Sequence, residues 1–195
     1  MKKIVFIISI FLSTVTLSAQ DFIGASWDIS TGLSDTYSYI KGTSLRGITF
    51  LDIRSFLRSD ISVGGSLGLN TFNKSLSGSF RDGSATITGK QLRYINSLPL
   101  MANFHYYIDD DKQDVTVYAG TGIGTYIVEQ RTDMGLYTAG SGFKWHFGFQ
   151  PQVGVLIPVL NKFHMNLAFK YHHAFRRSDR DGVNYVSVSL GIARW

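Results

Sequence analysis

The chain has 195 residues, of which 44% are hydrophobic and 17% charged, with no cysteine and a formal net charge of +5. That length suits one domain with a full core or one small barrel, and the missing cysteines exclude a disulfide framework, a thiolate metal site, a cysteine nucleophile and a lipoprotein anchor. Charge falls below the roughly 25% usual in soluble domains, and Glu129 is the sole glutamate, so there is little to clothe a water-facing surface.

The first nineteen residues read as a cleaved secretory signal, with Lys2 and Lys3, an apolar run from Ile4 to Leu12, and small residues near Ser18 and Ala19. The run is too short for the roughly 20 apolar residues of a spanning helix. Cleavage after Ala19 leaves residues 20–195 as a single domain, although Leu17 is larger than the usual small residue at its place. Losing Lys2 and Lys3 leaves 17 basic against 14 acidic side chains, a charge of +3 that is too mild to point to nucleic acid.

From Asp21 onward the alternation of residue types predicts eight strands and no helix, at 22–30, 44–57, 61–73, 92–107, 115–128, 142–157, 163–175 and 184–194. Each has an oily side. The first carries Ile23, Ala25, Trp27 and Ile29, the second Leu45, Thr49, Leu51 and Ile53, and the third Ile61, Val63, Leu67 and Leu69. The fourth to sixth carry Leu98, Leu100 and Phe104, then Val117 and Ile123, then Trp145, Phe147 and Val153. FHMNLAFKY (163–171) and the Val186, Val188, Leu190, Ile192 series complete the set. All are long enough to cross a bilayer at a tilt, which takes about 9 to 11 residues.

Asp28, Arg46, Asp52, Arg54, Arg93, Lys144 and Lys170 fall on the opposite side from the oily set of their own strand; only Arg194, next to the chain end, shares the oily side. The polar side is small and uncharged, with Ser62, Gly64, Ser66, Gly120, Gly122, Gly124, His146, Gly148, Gly154, Ser187 and Ser189. Such residues suit the cramped inside of an eight-stranded barrel. Ile48, Phe50, Phe56, Ile95 and Met101 fall on that same side, so either some interior layers are apolar or the register slips there. Connections alternate long and short, as in an up-and-down barrel with short periplasmic turns and longer outer loops. Trp27, Tyr94, Tyr106, Tyr126, Trp145, Phe149, Phe163, Tyr171 and Trp195 are candidates for interfacial girdles. Pro99 and Pro151 interrupt strands four and six, and each is expected at a bulge or a strand end.

YINSLPLMANFHYYI (94–108), YAGTGIGTYIV (118–128), FGFQPQVGVLIPV (147–159) and the closing YVSVSLGIARW, together with the signal, resemble the outer membrane protein beta-barrel domain family of Gram-negative bacteria. The chain is similar to its small OmpX/OmpA-type members. The resemblance implies an all-β, eight-stranded antiparallel up-and-down transmembrane barrel in the outer membrane, surrounded by lipid and lipopolysaccharide and inserted by the barrel-insertion machinery. It also implies that the terminal aromatic, Trp195, is part of the insertion signal. Trp195 is out of phase with Ile192, Leu190 and Val188, and a bulge near Ala193 would restore it to the lipid side.

Little chemistry is visible. His105, His146, His164 and His172 point inward and His173 outward, and neighbours on a strand face opposite ways, so His172 and His173 do not share a metal. DDDKQD (109–114) lacks the spacing of a calcium loop, and GTGIG (120–124) lies in a strand with no helix after it. The lipid A deacylase barrels use a His and a Ser two residues apart, whereas here His172 is followed by Ala174 and His173 by Phe175. No enzyme, cofactor or metal site is expected. The favoured role is structural or surface-interacting, with Asp28, Asp52, Arg54, Lys144 and Lys170 pairing across the interior. The alternatives are a narrow channel for small or hydrophobic solutes and a soluble secreted lipocalin-like binding barrel. The long loops hold more basic than acidic residues, and Arg176 with Arg177 is the candidate pair for lipopolysaccharide phosphates.

Overall fold

The computed structural model describes residues 22–40, 42–82, 85–108, 115–134, 137–176 and 182–195. The expected signal, the DDDKQD turn and Arg177 lie outside them. Eight strands form a closed barrel: β1 (Phe22–Gly32), β2 (Thr43–Arg58), β3 (Ile61–Asp82), β4 (Ala85–Tyr107), β5 (Thr116–Met134), β6 (Tyr137–Leu160), β7 (Phe163–Ala174) and β8 (Val183–Arg194). Each pairs antiparallel with its neighbour in sequence, and β8 returns to β1 from Ile23↔Arg194 to Gly32↔Tyr185. Both ends of the barrel sequence therefore sit at the rim that carries the short turns.

The oily set faces out all the way round. Trp27, Ile53, Val63, Phe104, Ile123, Phe147, Leu167 and Leu190, one on each strand, are exposed. Asp28, Arg54, Ser62, Asn103, Gln152, Asn166 and Ser189 are buried inside. A soluble binding barrel would bury the first set and expose the second, so that alternative is overturned. A continuous apolar belt of this extent is far larger than the patches of a few hundred Å² that soluble monomers expose.

One strand departs from simple alternation. In β2, Leu45 and Arg46 are both exposed, and so are Phe50 and Leu51. The pairing with β1 slips by one residue at each of these places, and the pairing with β3 slips at Phe50. Two β-bulges thus put an extra residue outside. They turn Ile48, Phe50 and Arg46 outward and Thr49 inward, reversing the sequence-based register there. Arg46 pairs with Thr71 near the outward end of the belt, where a lipid-facing arginine costs little. Phe56, Ile95 and Met101 keep the inward side as apolar layers.

The prolines are absorbed without a bulge or a strand end. Between β3 and β4 the ladder runs to Leu67↔Leu100 and resumes at Asn70↔Ser97 in the same register, and Pro99 falls in the gap. Between β6 and β7 it runs from Phe149↔His173 to Gln152↔Lys170, and Pro151 falls in that gap. Each proline keeps its pairing on the other side, with Tyr126 and Thr121 respectively. The strand continues because only one side of the ladder needs the missing N–H.

Two of the long connections are sheet rather than loop. β3 with β4, and β5 with β6, continue as hairpins to their 82/85 and 134/137 ends, well past the last β2 pairing at Thr71 and the last β7 pairing at Gly148. Above the belt no oily face is required, so the alternation that marked the lower strands fades while the pairing persists. Glu129 accordingly sits in β5 and not in a loop, accepting a hydrogen bond from Asn96 at 3.0 Å. The connection after β1 holds a short helix, α1 (Ser34–Ile40), which dips into the mouth and buries Thr36 and Ile40. Seven residues are too few to display a helical period.

Candidate functional site

The barrel interior is filled in three layers. The lowest is built round Arg54, fully buried, whose guanidinium donates to both oxygens of Asp52 at 2.7 and 3.2 Å. Its Nη1 donates to the Tyr107 hydroxyl at 3.0 Å, and its plane lies 4.1 Å from the Phe22 ring centre and 4.6 Å from that of Tyr118. Tyr118 in turn donates to Asn166 Oδ1 at 2.9 Å. Below this layer Trp195 stacks on Phe56 at 5.3 Å and lies 5.6 Å from Tyr107 and 5.3 Å from His164, making an aromatic floor.

The middle layer centres on Asp28. Thr49 donates to its Oδ2 at 2.7 Å and Ser26 to its Oδ1 at 3.2 Å. Lys170 Nζ lies 3.7 Å from Oδ1 and donates to the Thr49 hydroxyl at 3.1 Å. Beside it Ser30 donates to Asn70 Oδ1 at 2.7 Å, and Asn70 donates to the Tyr185 hydroxyl at 3.4 Å. His172 stacks on Tyr185 at 4.1 Å, contacts Ser187 Oγ at 3.0 Å, and meets the Tyr126 hydroxyl at 3.3 Å.

The upper layer is apolar, formed by Phe72, Ile95, Met101, Tyr126, Val128, Ala174, Val183 and Tyr185, with Ile40 of α1 seated among them. Polar contacts hold α1 at the rim. Thr36 Oγ1 accepts the Asn184 N–H at 3.0 Å, Arg93 Nη1 donates to the Tyr39 carbonyl at 3.0 Å, and the Arg93 guanidinium lies 5.0 Å over the Tyr39 ring. The Tyr39 hydroxyl meets Thr132 Oγ1. No residue in the last turn of α1 is basic, so Arg93, reaching across from β4, supplies the cation that its carbonyl end favours.

Glycines make room for these rings. A Cβ on Gly154 would stand 2.6 Å from the Tyr118 ring, and one on Gly148 would stand 2.7 Å from that of Tyr126. The inward glycines of β6 are thus seats for tyrosines of β5, while on β5 Gly120 and Gly122 make room for His105 and Asn103 of β4.

Of the five residues expected to pair across the interior, the structure brings together Arg54 with Asp52 and Lys170 with Asp28. It does not bring Lys144 to them: that residue is half-buried and stands beside Val128, nearer the mouth. Tyr107, Tyr118 and Tyr185 carry no signal in the sequence beyond their inward parity. Tyr126 had been placed with the interfacial aromatics and is instead wholly buried. Thr49 was hidden by the bulge. Trp195 is 8% exposed, and the pairing of β8 runs through Ala193 without a bulge, so its ring faces the interior and not lipid. Arg176 is exposed just after β7. At the tip of β5 the Arg131 guanidinium, 2.7 Å from Asp133, holds that carboxyl below the usual aspartate range.

The barrel is similar to Neisserial surface protein A, with a TM-score of 0.59 and 14% identity over 89% of this chain and 96% of that one. The chain folds as an eight-stranded outer-membrane-type barrel. It is similar as well to the attachment invasion locus protein Ail of Yersinia pestis, solved in complex with the heparin analogue sucrose octasulfate (TM-score 0.56, 14% identity, 89% and 96% covered). A third likeness is to the outer membrane protein OprG from Pseudomonas aeruginosa (0.53, 15%, 90% and 95%). At these identities the likeness is one of fold. No protein-family model matches the sequence of this barrel, and no curated protein does.

Proposed function

We propose that this chain is a non-catalytic integral barrel of the outer membrane, exported through a cleaved signal, with a sealed bore and its working surface at the outward end. The observation that carries this reading is the projecting wall. β3 to β6 run past the apolar belt, and among the described residues β3 beyond Thr71 pairs only with β4, and β6 before Phe147 only with β5, so each has an outer side with no strand along it. Such an edge offers a row of backbone donors and acceptors to which another chain can add a strand. The filled interior supports the same reading, since a solute would have to displace the Arg54 pair, the Lys170 pair and α1 in turn.

The surrounding partners follow from the belt and the rim. Outer-membrane lipid meets the oily set, and lipopolysaccharide phosphates meet Arg176 and Arg177. Trp195 is the terminal aromatic offered to the barrel-insertion machinery while its ring is still free to turn inward. Ail was solved in complex with the heparin analogue sucrose octasulfate, which is in keeping with an anionic ligand.

The test is in two parts. Outer-membrane fractions run in SDS, unboiled and boiled, are expected to give a shifted band for the folded barrel. The refolded protein in a planar bilayer is expected to give no single-channel steps. Steady steps of conductance would overturn the sealed bore in favour of a narrow channel, and recovery in the soluble periplasm without a shifted band would overturn the membrane placement.

A further inference from the structure

We propose that the outer face where β6, β7 and β8 meet, just below the mouth, holds one lipid A anchor of lipopolysaccharide in a fixed place, with a phosphate on His173 and an acyl chain on a shelf of phenylalanines. That placement rests on the reading that lipopolysaccharide surrounds this end of the barrel, and it names the residues that seat it. Four of the five histidines, His105, His146, His164 and His172, are buried inside the barrel. His173 alone points out. It pairs with Phe149 on β6 and Asn184 on β8, one step below the last pairs of β7, Gly148↔Ala174 and Ala174↔Val183. An ionisable ring on a lipid-facing side is uncommon and reads as a functional position by default.

The neighbours of His173 on that face are rings. Phe175 meets it edge-on at 4.7 Å, Phe149 lies at 5.0 Å, and Tyr171 is stacked at 6.2 Å. Phe147 in turn stacks on Phe175 at 6.1 Å with the planes 6° apart, and both are open to the surroundings, at 62% and 43% exposure. Rings that pack on one another in this way offer an acyl chain a flat, fixed surface.

His173 is held but not satisfied. The Tyr171 hydroxyl stands 3.4 Å from Nδ1 and, donating to it, leaves the ring proton on Nε2. Among the described residues nothing accepts that proton. Asn184, directly across on β8 and on the same face, keeps its Oδ1 without a hydrogen-bond partner, so the amide opposite does not take it up, and the phenylalanine rings have no acceptor to give. An N–H at the edge of hydrocarbon stays uncompensated unless something outside the protein accepts from it. In the outer leaflet the phosphate of lipid A stands where acyl chains meet the head, and a charged acceptor makes a stronger bond than a neutral one. Arg176, three residues further on and exposed, adds a cation near the same headgroup layer.

The refolded barrel, carrying 15N-histidine, is placed in phosphatidylcholine nanodiscs to which lipid A is added. The Nε2 signal of His173 is expected to shift saturably while those of the four interior histidines stay in place. Native mass spectrometry of the same discs counts the lipid A retained on the barrel. His173→Phe keeps a ring and removes the N–H, and is expected to weaken retention about tenfold or more, the worth of one hydrogen bond to a charged group. His173→Gln keeps a donor and is expected to recover part of the loss. Dephosphorylated lipid A and phosphatidylglycerol are expected to be retained no better than lipid A on His173→Phe. A native barrel that retains no lipid A overturns this site together with the wider placement of lipopolysaccharide at the rim. Retention by the native barrel that His173→Phe leaves unchanged overturns this site alone, as does equal retention of the dephosphorylated lipid or of phosphatidylglycerol.

Discussion

Arg54 and Asp52 stand two residues apart on the same strand, and the guanidinium of the one grips the carboxylate of the other with two nitrogens, at 2.7 and 3.2 Å. Both are enclosed by the barrel wall. Two charges so buried repay their desolvation only together, so removing one partner leaves an uncompensated charge.

Arg54→Met is therefore expected to cost about 3 to 5 kcal/mol, whereas Asp52→Leu with Arg54→Met recovers most of that loss. Urea unfolding of the refolded barrel, followed by tryptophan fluorescence, gives both values. A double variant as unstable as the single one would mean that the pair does not act as a unit.

Gly154→Val puts a branched side chain where the Tyr118 ring lies, 2.6 Å from a Cβ at that position. Overpacking of this kind costs about 1 to 3 kcal/mol or more, and the expected sign is a smaller fraction of shifted band in unboiled samples. Combining it with Tyr118→Ala should restore folding in part, because the added methyls then occupy vacated space.

The Arg131–Asp133 pair at the tip predicts a local pH response. Asp133 has a lowered pKa because Arg131 hydrogen-bonds it and attracts its charge. A carboxyl depressed in the folded state adds stability above its unfolded pKa and loses it as pH falls through the folded value. The carboxyl carbon of Asp133 should titrate below an ordinary aspartate, and Arg131→Gln should move it back up. The pair stands at the tip of β5, with Arg131 exposed, away from the packed interior, so the urea midpoint of the whole barrel should not follow.

Charge reversal at Arg176 and Arg177 tests the contact with lipopolysaccharide. Each cation near an anionic membrane surface is worth about 1 kcal/mol, so Arg176→Glu with Arg177→Glu should weaken binding to lipopolysaccharide vesicles about thirtyfold or more at low salt. Unchanged binding would remove these two residues from the outer-leaflet contact.

How far the molecule was legible in its sequence depended on what each segment had to face. Where one side meets lipid and the other a crowded interior, alternation is strict, and all eight strands and the inward placement of Asp28, Asp52, Arg54 and Lys170 followed from it. β2 escaped because a bulge is set by pairing with two neighbours and leaves no mark in the strand's own pattern, which is why Thr49, a partner of both Asp28 and Lys170, was assigned to the wrong side. The upper parts of β3 to β6 escape for the opposite reason: with no lipid beside them they need no oily face, and residues such as Lys74, Ser75 and Ser77 read as loop. Trp195 was correctly seen to be out of phase, but the phase is kept by a place in the floor of the barrel, which only the fold reveals.

The unequal heights of the strands give the barrel a front and a back. From Phe72 to Asp82, β3 alone adds eleven residues beyond its last partner on β2, about 35 Å along the strand, several times the thickness of one headgroup layer. A molecule arriving from solution touches the crest of that wall long before it reaches the lipid, while one drifting in the plane of the membrane toward the β1, β2, β7 and β8 side meets only a low sill with α1 behind it. The same small cylinder thus shows a tower to whatever comes from outside and a threshold to whatever comes from the side.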